Sequence, residues 1–333
     1  MPALVRKDLW VRRGLLKLPG AQVPFWGFAP SPSAPPVLPG PVITATAGDV
    51  ILVTLRNTEL PVPVSLMFPG QTQVLTRRPA TRWKPVSPRY EAGRMVSLTD
   101  ALDPGTDDWI RYQFRAGKPG VYLYQSGTNP GVQVQMGLYG LIVVRPLGFE
   151  RPSSPNYRTA YGARTGTGFD IEKLLVLGEV DTAMHARVAA GAEFNILDFA
   201  PEYWVINGRS YPDTDRPDYD ATLPHQPLGS AVAAKTGQRI LLRLVNAGFL
   251  NHTVTLGGLH GRVVAEDAFP LASSELDTTY EKTAVTLGAG QSVEVIVTPG
   301  HPGEHYLRAR DYLRIVNVSS FPGGMMTRLL VTA

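Results

Sequence analysis

Histidines, an acidic run and a pair of arginines are the side chains here best able to bind a metal, move a proton or hold an anion. The six histidines stand at positions 185, 225, 252, 260, 301 and 305. His301-Pro-Gly-Glu-His305 has a spacing that metals use, but Pro302-Gly303 makes it a turn rather than a helix face. His252 and His260 flank a Gly-rich strand turn and are the pair placed to meet across it as a mononuclear site. A lone surface histidine is the competing account of each. Asp213-Thr-Asp215-Arg-Pro-Asp218-Tyr-Asp220 clusters the carboxylate oxygens that a hard cation such as calcium wants. The glycine and closing glutamate of a helix-loop-helix calcium site are missing and Pro217 interrupts the spacing, so a solvated acidic loop competes with that reading. Arg308 and Arg310 offer charge for a small anion. Cysteine is absent, which removes disulfides and every thiolate-bound metal. No Gly-x-Ser-x-Gly elbow, His-Glu-x-x-His helix, phosphate-binding loop or dinucleotide fingerprint occurs.

The elements that must position these residues read as strands. At 333 residues, two domains are expected. Hydrophobic content of 44% suits a sizeable core, and 33 glycines with 30 prolines suit short strands joined by turns. An internal repeat carries the division. Gly48-Asp-Val-Ile-Leu-Val-Thr-Leu-Arg-Asn57 is echoed by Gly237-Gln-Arg-Ile-Leu-Leu-Arg-Leu-Val-Asn246, and Pro119-Gly120 before one Tyr-rich run by Pro302-Gly303 before another. The copies lie too far apart for a solenoid and are whole domains. The expected division is 1–147, a Pro-, Ser-, Gly- and Arg-rich linker at 148–170 that covers one domain's surface, and 171–333. Each half is an all-β sandwich or barrel. The stretch from Asp181 to Phe194 is compatible with one short helix.

Residues 119–144, PGVYLYQSGTNPGVQVQMGLYGLIVV, resemble the end of a multicopper oxidase cupredoxin domain. In that family a Pro-Gly turn and a Tyr-rich strand deliver a His-x-His pair to copper, and a Gly-Leu-Tyr-Gly strand closes the barrel. The resemblance runs from Phe25-Trp26-Gly27 and Pro39-Gly40-Pro41, through Trp204-Val-Ile-Asn-Gly-Arg-Ser-Tyr-Pro212, to Gly324-Met325. It implies two tandem cupredoxin-like Greek-key domains. The departures fall at the metal ligands. The family's Ser-x-His-Trp-His-Gly is VSLMFPG here, with Met67 and Pro69 at ligand places. The second pair is Gln125 and Gly127. His-Pro-x-His-x-His-Gly has become His252-Thr-Val-Thr-Leu-Gly-Gly, with Thr255 and Gly257 in place of histidines. The last motif falls at Arg308-Ala-Arg310. Cupric copper prefers imidazole nitrogen, and a type 1 centre needs Cys. The resemblance therefore implies the fold without copper, so no cofactor is expected.

The expected role is a copper-free protein that binds, supports or self-assembles through its surface. Edge strands of such barrels can pair with neighbouring chains, so protein partners, a homo-oligomer or a filament are expected. The alternatives are a residual copper-dependent oxidoreductase with an atypical site acting on phenols or metal ions, a hydrolase in the emptied cleft, and a binder of small anions or glycans at Arg308 and Arg310. Net charge is +4 with dispersed Lys and Arg, so no nucleic-acid partner is read. No stretch approaches the roughly 20 apolar residues of a membrane span. Arg12-Arg13 superficially matches an export signal, but LPGAQVPFWGFAP follows in place of an apolar stretch. A first strand is expected there, with no signal peptide in this numbering. Family resemblance implies an extracytoplasmic location.

Overall fold

The structure, a computed structural model, describes residues 2–106, 108–318 and 320–333. In the first half a six-stranded sheet has the spatial order β2 (Ala21–Ala29), β1 (Leu4–Leu18), β4 (Val50–Asn57), β9 (Ile110–Arg115), β5 (Leu75–Arg77) and β6 (Lys84–Pro85). It packs on a three-stranded sheet of β10 (Gly120–Gln125), β11 (Tyr139–Arg145) and β3 (Gly40–Thr46), while β7 (Arg89–Glu91) and β8 (Arg94–Ser97) form a separate hairpin. In the second half the larger sheet runs β13 (Tyr203–Ile206), β12 (Ile171–Val180), β15 (Ile240–Asn246), β21 (Ser292–Val297), β17 (Gly261–Glu266) and β18 (Phe269–Pro270), with β19 (Tyr280–Lys282) also on β17. Facing it are β14 (Val232–Lys235), β23 (Met326–Thr332), β22 (Gly303–Ala309), β16 (His252–Leu256) and β20 (Ala284–Leu287). The all-β reading is correct.

The sequence echoes sit on equivalent strands. β1 pairs in parallel with β4, as β12 does with β15, and β3 with β11, as β14 does with β23. Gly48 and Gly237 open β4 and β15 at φ 93° and 82°, a region only glycine enters without strain. Asn57 and Asn246 close those strands by standing in for backbone where the ladder ends. Asn57 Nδ2 donates to the Leu60 and Val62 carbonyls, and Asn246 Nδ2 to those of Leu250 and Leu287. The repeat therefore preserves turn chemistry as well as apolar pattern.

β1 extends through the Arg12-Arg13 stretch and feeds two cores from opposite faces. Leu9 and Val11 enter the first sandwich, while Leu16 and Leu18 point the other way, into a core shared by both halves. Such switching follows from strand alternation. The shared core sets Phe25, Leu123, Tyr139 and Leu141 against Val180, Tyr203 and Val205. Polar contacts reinforce it: Leu38 N donates to the His225 carbonyl at 2.8 Å, and the Tyr203 hydroxyl to that of Pro19 at 3.0 Å.

Segment 148–170 lies on the second half's larger sheet, with Ala160 and Phe169 buried against Leu241, Val264 and Ile296. The short helix α1 (Pro130–Gln133) precedes β11, and α2 (Thr182–Ala189) occupies only the front of the stretch expected to be helical. Asp181 caps α2 by accepting from Met184 N at 2.8 Å, and the chain turns away at Gly191 into a loop. Leu141→Ala in the shared core is expected to lower the unfolding free energy by about 2–5 kcal/mol. Chemical denaturation checks this, and an unchanged midpoint would contradict the packing described.

Candidate functional site

In the first half the positions that resemble ligand places are adjacent but packed shut. Met67 and Gln125 form an isolated bridge, Met67 N to Gln125 O at 2.7 Å and Gln125 N to Met67 O at 3.1 Å. Gly127 is buried, and a Cβ there would lie 2.8 Å from Met67 Cγ and 2.9 Å from Thr99 Cγ2. A ligand side chain at 127 therefore has no room. Behind it, buried hydroxyls satisfy one another: Thr128 donates to Ser65 at 2.9 Å, Thr128 and Ser97 lie 3.0 Å apart, and Ser126 donates to Gln133 Oε1 at 2.6 Å. Pro69 is exposed and has no donor atom in its side chain.

In the second half His252 is fully buried at the start of β16. Its Nε2 is 2.9 Å from Glu179 Oε2, and its Nδ1 is 2.8 Å from Arg314 Nη1. A guanidinium only donates, so Nδ1 accepts and Nε2 carries the proton that goes to Glu179. Both ring nitrogens are thereby committed, leaving no lone pair for a metal. Glu179 Oε1 also takes Gln135 Nε2 from the first half at 3.2 Å and the amides of Phe249 and Leu250. A Cβ at Gly248 would fall 2.1 Å from Glu179 Oε2, so only glycine lets the carboxylate seat. Trp204 stands edge-on to the imidazole, with the Arg314 guanidinium 4.7 Å from its ring centroid.

The remaining sequence candidates in this half do not converge on His252. Thr255 pairs with Arg308 across the strands, and its hydroxyl donates to the Arg308 carbonyl at 3.2 Å. Arg308 lies over the Tyr312 ring. A Cβ at Gly257 would meet Tyr306 N at 2.8 Å. Arg310 is exposed, with no side-chain partner among the described residues. His260 is exposed while His252 is buried, so the structure does not support the proposed pair. His305 Nδ1 faces the Gly257 carbonyl at 3.0 Å, and His301 is exposed on the preceding turn.

The acidic run does not gather its carboxylates. Asp213 pairs with Arg216 at 2.7 Å, and Asp215 accepts from Arg328 N at 3.0 Å. Asp218 accepts from Gly229 N at 2.7 Å, and Asp220 accepts from Thr222. The loop's carbonyls already hold a cation, because the buried Arg209 donates to those of Arg216 and Pro217 at 2.8 and 3.1 Å and to that of Gln226. Arg209 thus supplies positive charge at the carbonyls of this loop. Among the described residues no three His, Cys, Asp or Glu side chains come together to hold a metal ion.

A buried ionic ladder escaped sequence reasoning. Arg243 on β15 and Glu294 on β21 are cross-strand partners and pair at 2.6 Å, both buried. Arg243 Nε reaches Glu172 at 2.6 Å, and Glu172 takes a two-pronged contact from Arg145 of the first half. Tyr161 of the connecting segment donates to Glu294 at 2.8 Å, as does Val121 N of β10 at 3.2 Å. Burial alone would lower the pKa of Arg243; Glu294 and Glu172 reverse this and hold it above its usual value. Burial acts upward on Glu172, but the hydrogen bond from Arg145 and the charge of Arg243 hold it below the usual carboxylate value. The signal was a charge inside each apolar run, ILLRLVN and SVEVIV, since a buried charge must be paired.

This arrangement of two halves, each of two packed sheets, defines a class, the tandem cupredoxin domains of the multicopper oxidase kind. A blue copper oxidase from Nitrosomonas europaea superposes with a TM-score of 0.72 at 21% identity, covering 98% of this chain and 86% of that one. The copper nitrite reductase of the same organism superposes at 0.66 with 19% identity over 99% and 94%. In sequence, multicopper oxidase MmcO of Mycobacterium tuberculosis is 24% identical over 290 residues, 78% of this chain and 46% of the relative. Oxidoreductase ptaE of Pestalotiopsis fici is 26% identical over 263 residues, 78% of this chain and 37% of the relative. The chain spans less than half the length of these curated relatives. No protein-family model matches it. At the level of the superfamily the chain is a multicopper-oxidase-like protein with the cupredoxin fold. The residues at its ligand places do not fit a copper centre of that kind, because they supply one committed imidazole, no thiolate and two glycines without room for a side chain.

Two substitutions test this geometry by denaturation of metal-free protein. Glu294→Gln, which removes one of the two carboxylates paired with the buried Arg243 and leaves it Glu172 alone, is expected to cost about 3–5 kcal/mol. His252→Ala removes a partner from the buried Glu179 carboxylate and is expected to cost about 1–3 kcal/mol or more. If His252→Ala left metal-free stability unchanged, the bonds assigned to its imidazole would be wrong.

Proposed function

We propose that this chain is a copper-free member of its superfamily whose role is binding, support or self-assembly through its surface. The observation that carries this reading is the repacking at the ligand places. Met67 and Thr99 occupy the space beside Gly127, and His252 is held from both sides by Glu179 and Arg314. A site that had lost only its metal would keep open donors pointing at a common centre. Here the polar atoms face one another and serve stability. The relatives' names are those of copper oxidases, an oxidoreductase and a copper nitrite reductase, so copper chemistry is the reading to test against.

An extracytoplasmic location is proposed from the family resemblance. No helix among the described residues is long and apolar enough to cross a membrane. The decisive experiment is copper content by elemental analysis of protein produced with copper supplied, together with oxidation of a phenol, ferrous ion and cuprous ion. The expected result is less than a stoichiometric trace of copper and no oxidation. About one copper per chain with turnover of any of these substrates would overturn the proposal and favour the oxidoreductase.

A further inference from the structure

The connection between β22 and β23 presents large apolar side chains to solvent. Tyr312, Leu313, Val318 and Phe321 are 72%, 77%, 66% and 72% exposed. They are held outward by a pinned backbone. Ile315 is buried, and Asn317 accepts from Ser210 Oγ at 2.6 Å and Gly324 N at 2.9 Å while donating to the Tyr211 carbonyl at 2.6 Å. Projecting apolar groups on a fixed frame mark a contact surface more strongly than scattered exposed ones.

Beside this projection lies a groove of about 510 Å³ between β2 and α2, lined by Val23, Pro24, Ala183 and Ala186 together with Glu202 and Val318. Glu202 closes a second exposed segment, 193–202, in which Leu197 is 88% exposed. This segment joins the same face, since the Phe199 ring packs on Phe249 at 5.5 Å, just before the Asn251 that lines a smaller hollow with Arg310 and Arg314. The two segments carry opposite charge. Residues 193–202 hold Glu193, Asp198 and Glu202 without a Lys or Arg, and residues 308–322 hold Arg308, Arg310 and Arg314 against Asp311 alone.

An apolar projection beside an apolar groove, with a basic segment beside an acidic one, is what a two-fold interface requires, because the same patch must complement itself. We propose that this face joins two copies of this chain, Tyr312, Leu313 and Phe321 of each entering the groove of the other. Arg310 of one copy then meets Asp198 of its partner, and neither side chain has a partner within its own chain among the described residues. Opposite charges across such a contact fix register and partner choice. An edge-strand assembly, by contrast, would leave this face bare.

The inference deepens the reading of a surface-acting protein and rests on it. Analytical ultracentrifugation of the whole chain is expected to show a dimer that weakens with added salt. Phe321→Asp and Leu197→Asp are each expected to raise the dissociation constant roughly tenfold or more. Arg310→Asp and Asp198→Arg should each weaken the dimer, and the two combined should restore it. Melting temperatures measured at concentrations below the dissociation constant should stay at the wild-type value, since within one chain these side chains are exposed. A monomer up to roughly 100 μM, a dimer indifferent to these substitutions, or a charge swap no better than its single members would each overturn the interface. A monomer leaves the copper and oxidase measurements to decide the proposed function on their own, whereas bound copper with turnover would sink that function whatever the dimer does.

Discussion

One buried carboxylate organises the region where the family resemblance would place chemistry. Glu179 has no exposed side-chain surface, and an unpaired charge so placed would cost several kcal/mol. Its two oxygens are therefore surrounded by donors: the His252 imidazole, the Gln135 amide and two backbone N–H groups. Gly248 must lack a side chain to let it in, and Arg314 must face the far side of the imidazole to leave Nε2 as a donor. The surviving histidine is explained by this requirement rather than by a metal.

The same logic joins the two halves. Gln135 brings the first half to Glu179, and Arg145 and Val121 bring it to the ladder through Glu172 and Glu294. Between these polar ties lies the shared apolar core around Leu141 and Val205. Apolar burial supplies the free energy, while the paired charges specify register, because a slip of one residue on β15 or β21 would strand Arg243 or Glu294. Among the described residues, the ties between the halves are made by protein groups.

Much of the fold was legible because its signals are local. Gly48 and Gly237 mark turns, Asn57 and Asn246 mark strand ends, and alternation along β1 marks its buried faces. That the family's ligand places hold residues such as Gly127 and Pro69 was legible too, since a glycine or proline cannot bind copper through its side chain. What those places had become was not legible. The contact of His252 with Glu179 joins β16 to β12 across many intervening residues, and Arg314 arrives from the connection between β22 and β23. The acidic run hid its partner for a related reason: the cation at its carbonyls is Arg209, which precedes the run and looks from sequence like any turn residue. His252 and His260 seemed a pair because they flank one turn, yet one lies in a strand facing the core and the other in solvent.

The central claim is that protein groups have replaced the metal as the partners of these residues. A metal that binds the native state alone raises stability by about 2.7 kcal/mol at one hundred times its dissociation constant. The direct measurement is therefore the melting temperature of chelator-treated protein against protein given stoichiometric and excess copper. The account predicts the same melting temperature under both conditions. A rise of several degrees that saturates near one copper per chain would contradict it.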